Sequence, residues 1–253
     1  MFGGFPVWAQ AGIWGLLGAA SLIVGAAAAS LKWLSTRVIA AIMSFGCGVL
    51  ISAVAYDLIF DGFKKAGIRP IVTGAIAGSL AYAGANWLVS RHGAHHRKRS
   101  TDQQKPAAEG GGLIIAIGSL LDGIPESVVL GVSLLSGGGV SVAMFAAIFL
   151  SNFPEGLSSA VGMRKAGRSS AYIYGLWSAI ALLSGLASLL GAAFLSGAAP
   201  NLMAMVNAVA AGALLTMVSD TMLPEAVQGD HGATGFLVVV GLLLAFSISQ
   251  AGP

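Results

Sequence analysis

Eight long apolar runs occupy most of the 253-residue sequence. A hydrocarbon core about 30 Å thick needs roughly 20 apolar residues for one helical crossing, and each run has about that length. Only 9% of the residues are charged, whereas a soluble domain has about 25%. The sequence therefore predicts an all-α, polytopic membrane protein with one transmembrane domain over residues 1–253. The predicted spans are residues 8–30, 37–60, 70–90, 111–136, 140–163, 171–195, 201–222 and 234–250.

The 13 Lys and Arg residues lie in the connections between these runs. Ten of them fall in the first, third and fifth connections, and three fall in the second. Because positively charged connections stay on the cytoplasmic side, this bias places both termini outside. The pI near 9.2 therefore reports topology, and no nucleic-acid partner is expected.

The longest connection, residues 91–110, is polar throughout and is predicted to be a flexible cytoplasmic loop. It carries His92, His95 and His96, which either bind a metal weakly or are incidental residues of a solvated loop. The single cysteine, Cys47, lies within an apolar run, so the chain has no disulfide framework.

Acidic side chains lie inside the fourth and fifth spans, where lipid makes them costly. An ionised side chain at the bilayer centre costs at least ~2.5–3.5 kcal/mol, so such residues usually mark a partner, an ion or a pathway. Asp122 and Glu126 are one helical turn apart, and Ser151 and Asn152 lie one turn before Glu155. We expect these five side chains to meet between the two helices and to bind one cation.

Each of the two glutamates directly follows a proline, Pro125 or Pro154. Proline removes a backbone donor and kinks a helix, which frees the carbonyl oxygens of Leu121 and Leu150. In a membrane those oxygens need a neighbouring helix, a water or an ion. Carboxylate, amide, hydroxyl and carbonyl oxygens together suit a divalent cation. The alternative is a structural kink beside a polar residue whose hydrogen bonds are satisfied.

Further acids lie near the ends of the second and seventh spans. Asp57 and Asp61 are one turn apart near the outer face, and Asp220 precedes Glu225 near the inner face. These acids are predicted to flank a pathway whose middle holds the central site. The alternative is solvation at the membrane surface or pairing with nearby basic residues such as Lys64.

These motifs resemble those of the Zrt/Irt-like (ZIP) family of divalent-metal transporters, in particular its bacterial branch. The resemblance covers the whole chain: eight spans, a His-bearing third connection, Pro-Glu motifs in spans 4 and 5, and the VSDTMLPEA stretch of span 7. It implies a three-plus-two-plus-three bundle with helices 4 and 5 in the centre. It also implies a multi-pass protein of the bacterial inner membrane that moves divalent ions toward the cytoplasm.

The metal-site motifs depart from the family pattern His-Asn-x-Pro-Glu-Gly. Asp122 stands at the histidine position and Gly123 at the asparagine position, while Ser151 and Asn152 stand at the corresponding places of span 5. Members with a two-metal centre also use an acid from span 6, and span 6 here contains none, so one metal held mainly by oxygens is favoured while two metals stay open. Zinc, manganese, ferrous iron, cobalt and cadmium all stay open as the transported ion.

Transport is predicted in preference to catalysis, because the chain has no His-Glu-x-x-His motif and no histidine within a span. No organic cofactor is expected, since nothing resembles a nucleotide-binding loop. Close carboxylates without a metal do not all ionise, so both exchange of protons for the ion and passive transport stay open. The competing hypothesis is a proton-coupled carrier of another solute that uses the same acids. The expected partners are the ion and the lipid bilayer, with a homodimer as an open alternative to a monomer.

Overall fold

The computed structural model describes residues 4–31, 35–94, 112–136, 142–229 and 232–250. Over these residues the chain is helical and forms no strand, as the apolar runs predict. His95 and His96, with most of the predicted loop 91–110, lie outside the described residues. The described residues form eight main helices: α1 Val7–Ala28, α2 Thr36–Ala66, α3 Ile68–Val89, α4 Gly112–Ser133, α5 Val142–Lys165, α6 Ser170–Leu195, α7 Pro200–Gly229 and α8 Thr234–Gln250.

Several of these helices have the length and composition of membrane spans. Within the described ranges, α1, α2, α6, α7 and residues 116–133 of α4 are long and apolar enough to cross a membrane. The helix α8 is apolar but shorter, with 17 residues. Large apolar side chains point outward, among them Phe194, which is 81% exposed, and Phe236 and Leu80. An apolar outer surface of this kind is expected for a protein that lies in lipid.

The helix α2 extends past its predicted end at residue 60 and stops at Ala66. Its second half contains a π-helical segment, Ala53–Phe60, which widens the helix without ending it. The helix ends where Gly67 adopts a φ of 73°, a conformation that glycine reaches without steric cost. Hydropathy did not locate this end because the last turn, which includes Lys64, is polar.

The helix α7 also runs past its predicted end, from residue 222 to Gly229. The proline at position 224 would ordinarily break a helix, because it lacks a backbone donor and clashes with the preceding turn. A π-helical segment, Val218–Met222, lies immediately before it. This wider turn gives the proline room, so the helix carries Glu225 onward into the bundle.

Close helix crossings are made at glycines. The helix α1 packs along α5 and α6, α2 packs along α8, and α3 packs along α7. At three of these crossings a Cβ atom on either glycine of a facing pair would lie 1.9–2.2 Å from a carbonyl oxygen of the other helix. Small residues at such points let helix backbones approach in lipid. The pairs are Gly25 with Gly156 (α1 and α5), Gly48 with Gly241 (α2 and α8), and Gly78 with Gly212 (α3 and α7).

The helix α5 lies deep in this arrangement. It packs against α1 and α2 and also meets α4, α6 and α8. Between residues 151 and 160 every residue except Phe153 is buried. The polar side chains of this stretch therefore face other helices and not lipid.

Candidate functional site

The five residues predicted for the central site are all buried. Asp122, Glu126 and Ser151 are each 1% exposed, and Asn152 and Glu155 are each 4% exposed. Carboxylates excluded from water in this way need a hydrogen-bond donor or a counter-charge nearby. The groups that donate hydrogen bonds to these carboxylates therefore decide which oxygens could bind an ion.

Four acids of the described residues each accept a hydrogen bond from a hydroxyl on a different helix. Each of these contacts joins two helices through one carboxylate and one hydroxyl, and such charge-assisted bonds are stronger than neutral ones. The pairs are Ser151 Oγ to Glu126 Oε1 at 3.3 Å, Ser158 Oγ to Glu225 Oε1 at 3.0 Å, Ser249 Oγ to Asp57 Oδ1 at 2.6 Å, and Tyr82 Oη to Asp122 Oδ1.

One face of α5 carries two of these donors. Ser151, Glu155 and Ser158 are separated by four and three residues, which places them on the same side of a helix. Ser151 reaches Glu126 of α4, and Ser158 reaches Glu225 of α7. The rise from Ser151 to Ser158 is about 10 Å. Three glutamates, 126, 155 and 225, therefore follow one face of α5 over that distance.

The two prolines lie inside helices that continue through them. Pro125 is within α4 and Pro154 is within α5. The hydroxyl of Ser127 donates to the carbonyl oxygen of Gly123 at 2.7 Å, in the turn that contains the first proline. A Cβ atom on Gly46 of α2 would lie 3.1 Å from the ring of Pro154 and 3.5 Å from the carbonyl oxygen of residue 150. The carbonyl predicted to be freed in α5 therefore faces a neighbouring helix.

Two of the three central acids, Asp122 and Glu126, each accept a hydrogen bond from a hydroxyl of a neighbouring helix. Within the described ranges, no group of three or more His, Cys, Asp or Glu side chains is placed to hold a metal ion. Glu126 and Ser151 are brought into contact, whereas Asp122 is held by Tyr82 on α3. A single cation-sized cavity shared by Asp122, Glu126 and Glu155 stays a prediction.

The two outer acids have different surroundings. Asp57 lies in the π-helical segment of α2, is half-buried, and accepts the hydrogen bond from Ser249 of α8. The side chain of Asp61 is 49% exposed, and its Oδ1 lies 3.7 Å from Nζ of Lys64. Asp61 therefore takes part in the surface pairing that the sequence left open as an alternative, while Asp57 connects two helices.

The two acids of α7 differ in burial. Asp220, which the sequence predicts as a site residue, is exposed. Glu225 is 4% exposed and meets α5 through Ser158. A signal for it exists in the sequence, because Pro224-Glu225 is a third copy of the Pro-Glu dipeptide found in spans 4 and 5.

Two further residues of the site carry no signal in the sequence. Tyr82 and Ser158 lie in apolar runs, where tyrosine and serine are ordinary packing residues. His92, by contrast, does carry a signal as a possible ligand. Its Nδ1 lies 2.8 Å from the carbonyl oxygen of Leu88, so this imidazole stays close to the end of α3.

Comparison with known proteins assigns the chain to no family, because no protein-family model and no curated protein matches this sequence. Function is therefore inferred from the buried acids, the hydroxyls that contact them and the apolar helices that carry both.

Proposed function

We propose that the chain transports a divalent transition-metal cation across a bacterial inner membrane toward the cytoplasm. The observation that carries this proposal is the row of buried glutamates, Glu126, Glu155 and Glu225, along one face of α5. Buried carboxylates in apolar helices are costly unless a positive charge accompanies them. A divalent cation that passes along the row supplies that charge.

In this proposal all eight helices cross the membrane, in a three-plus-two-plus-three bundle with α4 and α5 between two triplets. Both termini lie outside, as the distribution of Lys and Arg favours. The π-helical segments of α2 and α7 support the assignment of a pathway, because such segments occur frequently at functional sites. One of these segments contains Asp57 and the other contains Asp220.

The ion enters at the outer acids, binds in the middle of the membrane and leaves at the inner acids. Each site must bind weakly enough to release the ion to the next one. Hydroxyl and amide ligands, which carry no charge, meet this need better than additional carboxylates do. The proposed pathway has Asp57 and Asp61 on the outer side, Asp220 and Glu225 on the inner side, and between them the central group of Glu126, Asp122, Ser151, Asn152 and Glu155.

The donor atoms of the row are oxygens. Carboxylate and hydroxyl oxygens suit manganese and ferrous iron, and they also bind zinc, cobalt and cadmium. The row includes no imidazole and no thiolate, which argues against very tight zinc binding. We therefore propose a broad range of divalent ions as substrates, moved without covalent chemistry.

Uptake into proteoliposomes tests this proposal. The native chain, Glu126→Gln and Glu155→Gln are compared across manganese, iron, cobalt, zinc and cadmium, with empty liposomes as the background. Glutamine keeps the shape of glutamate and removes its charge, so we expect uptake to fall by roughly 10-fold or more in each variant. Equal flux in all three proteins would overturn the assignment of the site. No uptake of any ion by the native chain would instead favour a proton-coupled carrier of another solute.

A further inference from the structure

Asn207 of α7 carries a buried acceptor oxygen that its neighbours leave unsatisfied. The side chain as a whole is half-buried, but its Oδ1 is fully buried and accepts no hydrogen bond from the residues that the structure describes. Burying a carbonyl oxygen without a partner destabilises a protein, so nearly all such atoms in folded proteins have one. An apolar side chain of the same size would avoid this cost. The asparagine therefore needs an explanation other than packing.

The spacing along α7 places Asn207 on the buried face of that helix. Ala210, Ala211 and Leu214 follow it by three, four and seven residues, which is the spacing of side chains that share one face. All three are buried and belong to the apolar core that α7 forms with α2, α4 and α5. Asn207 therefore lies on the side of α7 that faces the interior of the bundle and not lipid.

The packing of α7 against α2 fixes the depth of Asn207 in the bundle. A Cβ atom on Gly229 would lie 2.5 Å from Cβ of Ala40, and one on Gly62 would lie 3.9 Å from Cβ of Ala204. The two helices therefore run antiparallel, with the last turn of α2 beside the start of α7. Asn207 follows Ala204 by one turn, so it lies about 5 Å further along the bundle than this contact with Gly62.

In the proposed orientation, Asn207 lies between the outer acids and the central acids. Asp61 is adjacent to the glycine of α2 that meets α7, and its side chain is half-exposed. Toward the centre, the hydroxyl of Thr216 lies 2.7 Å from that of Ser79, which is one turn before Tyr82 and its bond to a central carboxylate. Thr216 follows Asn207 by nine residues, a rise of about 14 Å. The amide is therefore deeper than Asp61 and is reached from outside before the central acids.

We propose that Asn207 is the first neutral oxygen ligand that a divalent ion meets after the outer acids, an inference that rests on the proposed transport of divalent cations. Amide carbonyl oxygens bind manganese and other divalent ions that favour oxygen ligands. Because the amide is uncharged, it holds the ion weakly enough to release it inward. The ion gives Oδ1 a partner, which accounts for a polar side chain on this apolar face.

The variant that isolates the oxygen is Asn207→Leu, because leucine is close to asparagine in size and shape and has no polar atom. Removing an unsatisfied buried acceptor should raise the midpoint of thermal unfolding in detergent by about 2–4 °C. The same change removes an ion ligand, so the KM for manganese uptake should rise by roughly 10-fold, the factor expected for one contact with a charged group. A merely structural asparagine would not combine a higher unfolding midpoint with a higher KM.

Asn207→Asp tests the same position with the oxygen retained. Aspartate has the shape of asparagine and places an oxygen at the same point, so it should bind the ion at least as well as the native residue does. We expect its KM for manganese to be no higher than the native value. A raised KM in this variant would overturn the inference.

The experiment measures initial uptake of manganese, zinc and cadmium into proteoliposomes by the native chain, the two Asn207 variants and Asn201→Leu. Asn201 is exposed in the first turn of α7 and serves as the matched control, for which we expect the native KM. With native transport intact, an unchanged KM in Asn207→Leu, a lowered unfolding midpoint in Asn207→Leu, or an equal rise of KM in Asn201→Leu overturns this inference alone. Failure of the native chain to take up any of the three ions overturns the proposed function and this inference together.

Discussion

Ser158 of α5 donates a hydrogen bond of 3.0 Å to Glu225 of α7, and both side chains are buried. The serine lies one helical turn beyond Glu155 on the same face of α5. One turn before Glu155, Ser151 Oγ lies 3.3 Å from Glu126 Oε1 and 3.1 Å from the carbonyl oxygen of Ile148, so its one proton is shared between two acceptors. Glu126 of α4 and Glu225 of α7 therefore both contact α5. In the proposed pathway, an ion that leaves Glu155 toward the cytoplasm meets Glu225 next.

Replacing Glu225 should impair transport more than replacing Asp220. Both acids lie in the last part of α7, but Glu225 is buried against α5 whereas Asp220 is exposed. We expect Glu225→Gln to lower the initial uptake rate by roughly 10-fold, and Asp220→Asn to lower it by less. Each variant removes one charge from the same helix, so each is the control for the other. A larger loss for Asp220→Asn would contradict the placement of Glu225 on the pathway.

Removing the hydroxyl of Ser151 should weaken ion binding at the centre. Ser151 donates to Glu126 and lies one turn before Glu155, so Ser151→Ala takes away an oxygen and a donor together. We expect the KM for the ion to rise by roughly 10-fold.

The matched control for this variant is Ser247→Ala. Ser247 is a serine of α8 whose hydroxyl donates to the carbonyl oxygen of Leu243 in its own helix at 2.7 Å, at an exposed position. Its removal should leave the KM unchanged. A common shift in both variants would show a general effect of serine removal in these helices and would argue against a central role for Ser151.

The sequence predicts where the helices lie better than it predicts where they end. Apolar runs of about 20 residues identify membrane helices because the bilayer sets their length. The ends of α2 and α7 lie beyond their predicted positions, because π-helical segments continue both helices past the points where polarity and Pro224 predict a stop. Whether a helix continues through a proline or a polar turn depends on the helices packed around it, and the local sequence does not specify those neighbours.

The candidate site can be predicted from the sequence at residues that are costly to bury in a membrane helix. Glutamate beside proline in an apolar run stands out, and Glu126 and Glu155 are indeed buried. Tyr82 and Ser158 do not stand out, because neither residue is costly in a membrane helix. Their contacts with acids follow from how α3, α5 and α7 cross, and those crossings depend on glycines such as Gly78 that occur throughout the chain.

The proposed orientation predicts which connections are reached from outside the cell. In a Cys47→Ser background, a membrane-impermeant maleimide should label Ser196→Cys, between α6 and α7, in intact spheroplasts. Lys165→Cys, at the end of α5, should be labelled only after the membrane is broken. The native chain supplies a control, because Cys47 is fully buried and should stay unlabelled while the protein is folded. Labelling of Lys165→Cys in intact spheroplasts would reverse the topology and with it the direction of transport.

Two glycines of α3 should respond oppositely to the same substitution. A Cβ atom on Gly78 would lie 1.9 Å from the carbonyl oxygen of Val209, whereas one on Gly84 would have nothing within 4 Å. Gly78→Ala should therefore push α3 away from α7 and destabilise the protein by about 1–3 kcal/mol.

Gly84→Ala should be neutral or stabilising by up to about 1 kcal/mol, because alanine has the better helix propensity. Thermal unfolding in detergent, followed by near-ultraviolet circular dichroism, measures both effects. Equal unfolding midpoints for the two variants would show that the crossing of α3 and α7 is not the close contact described here.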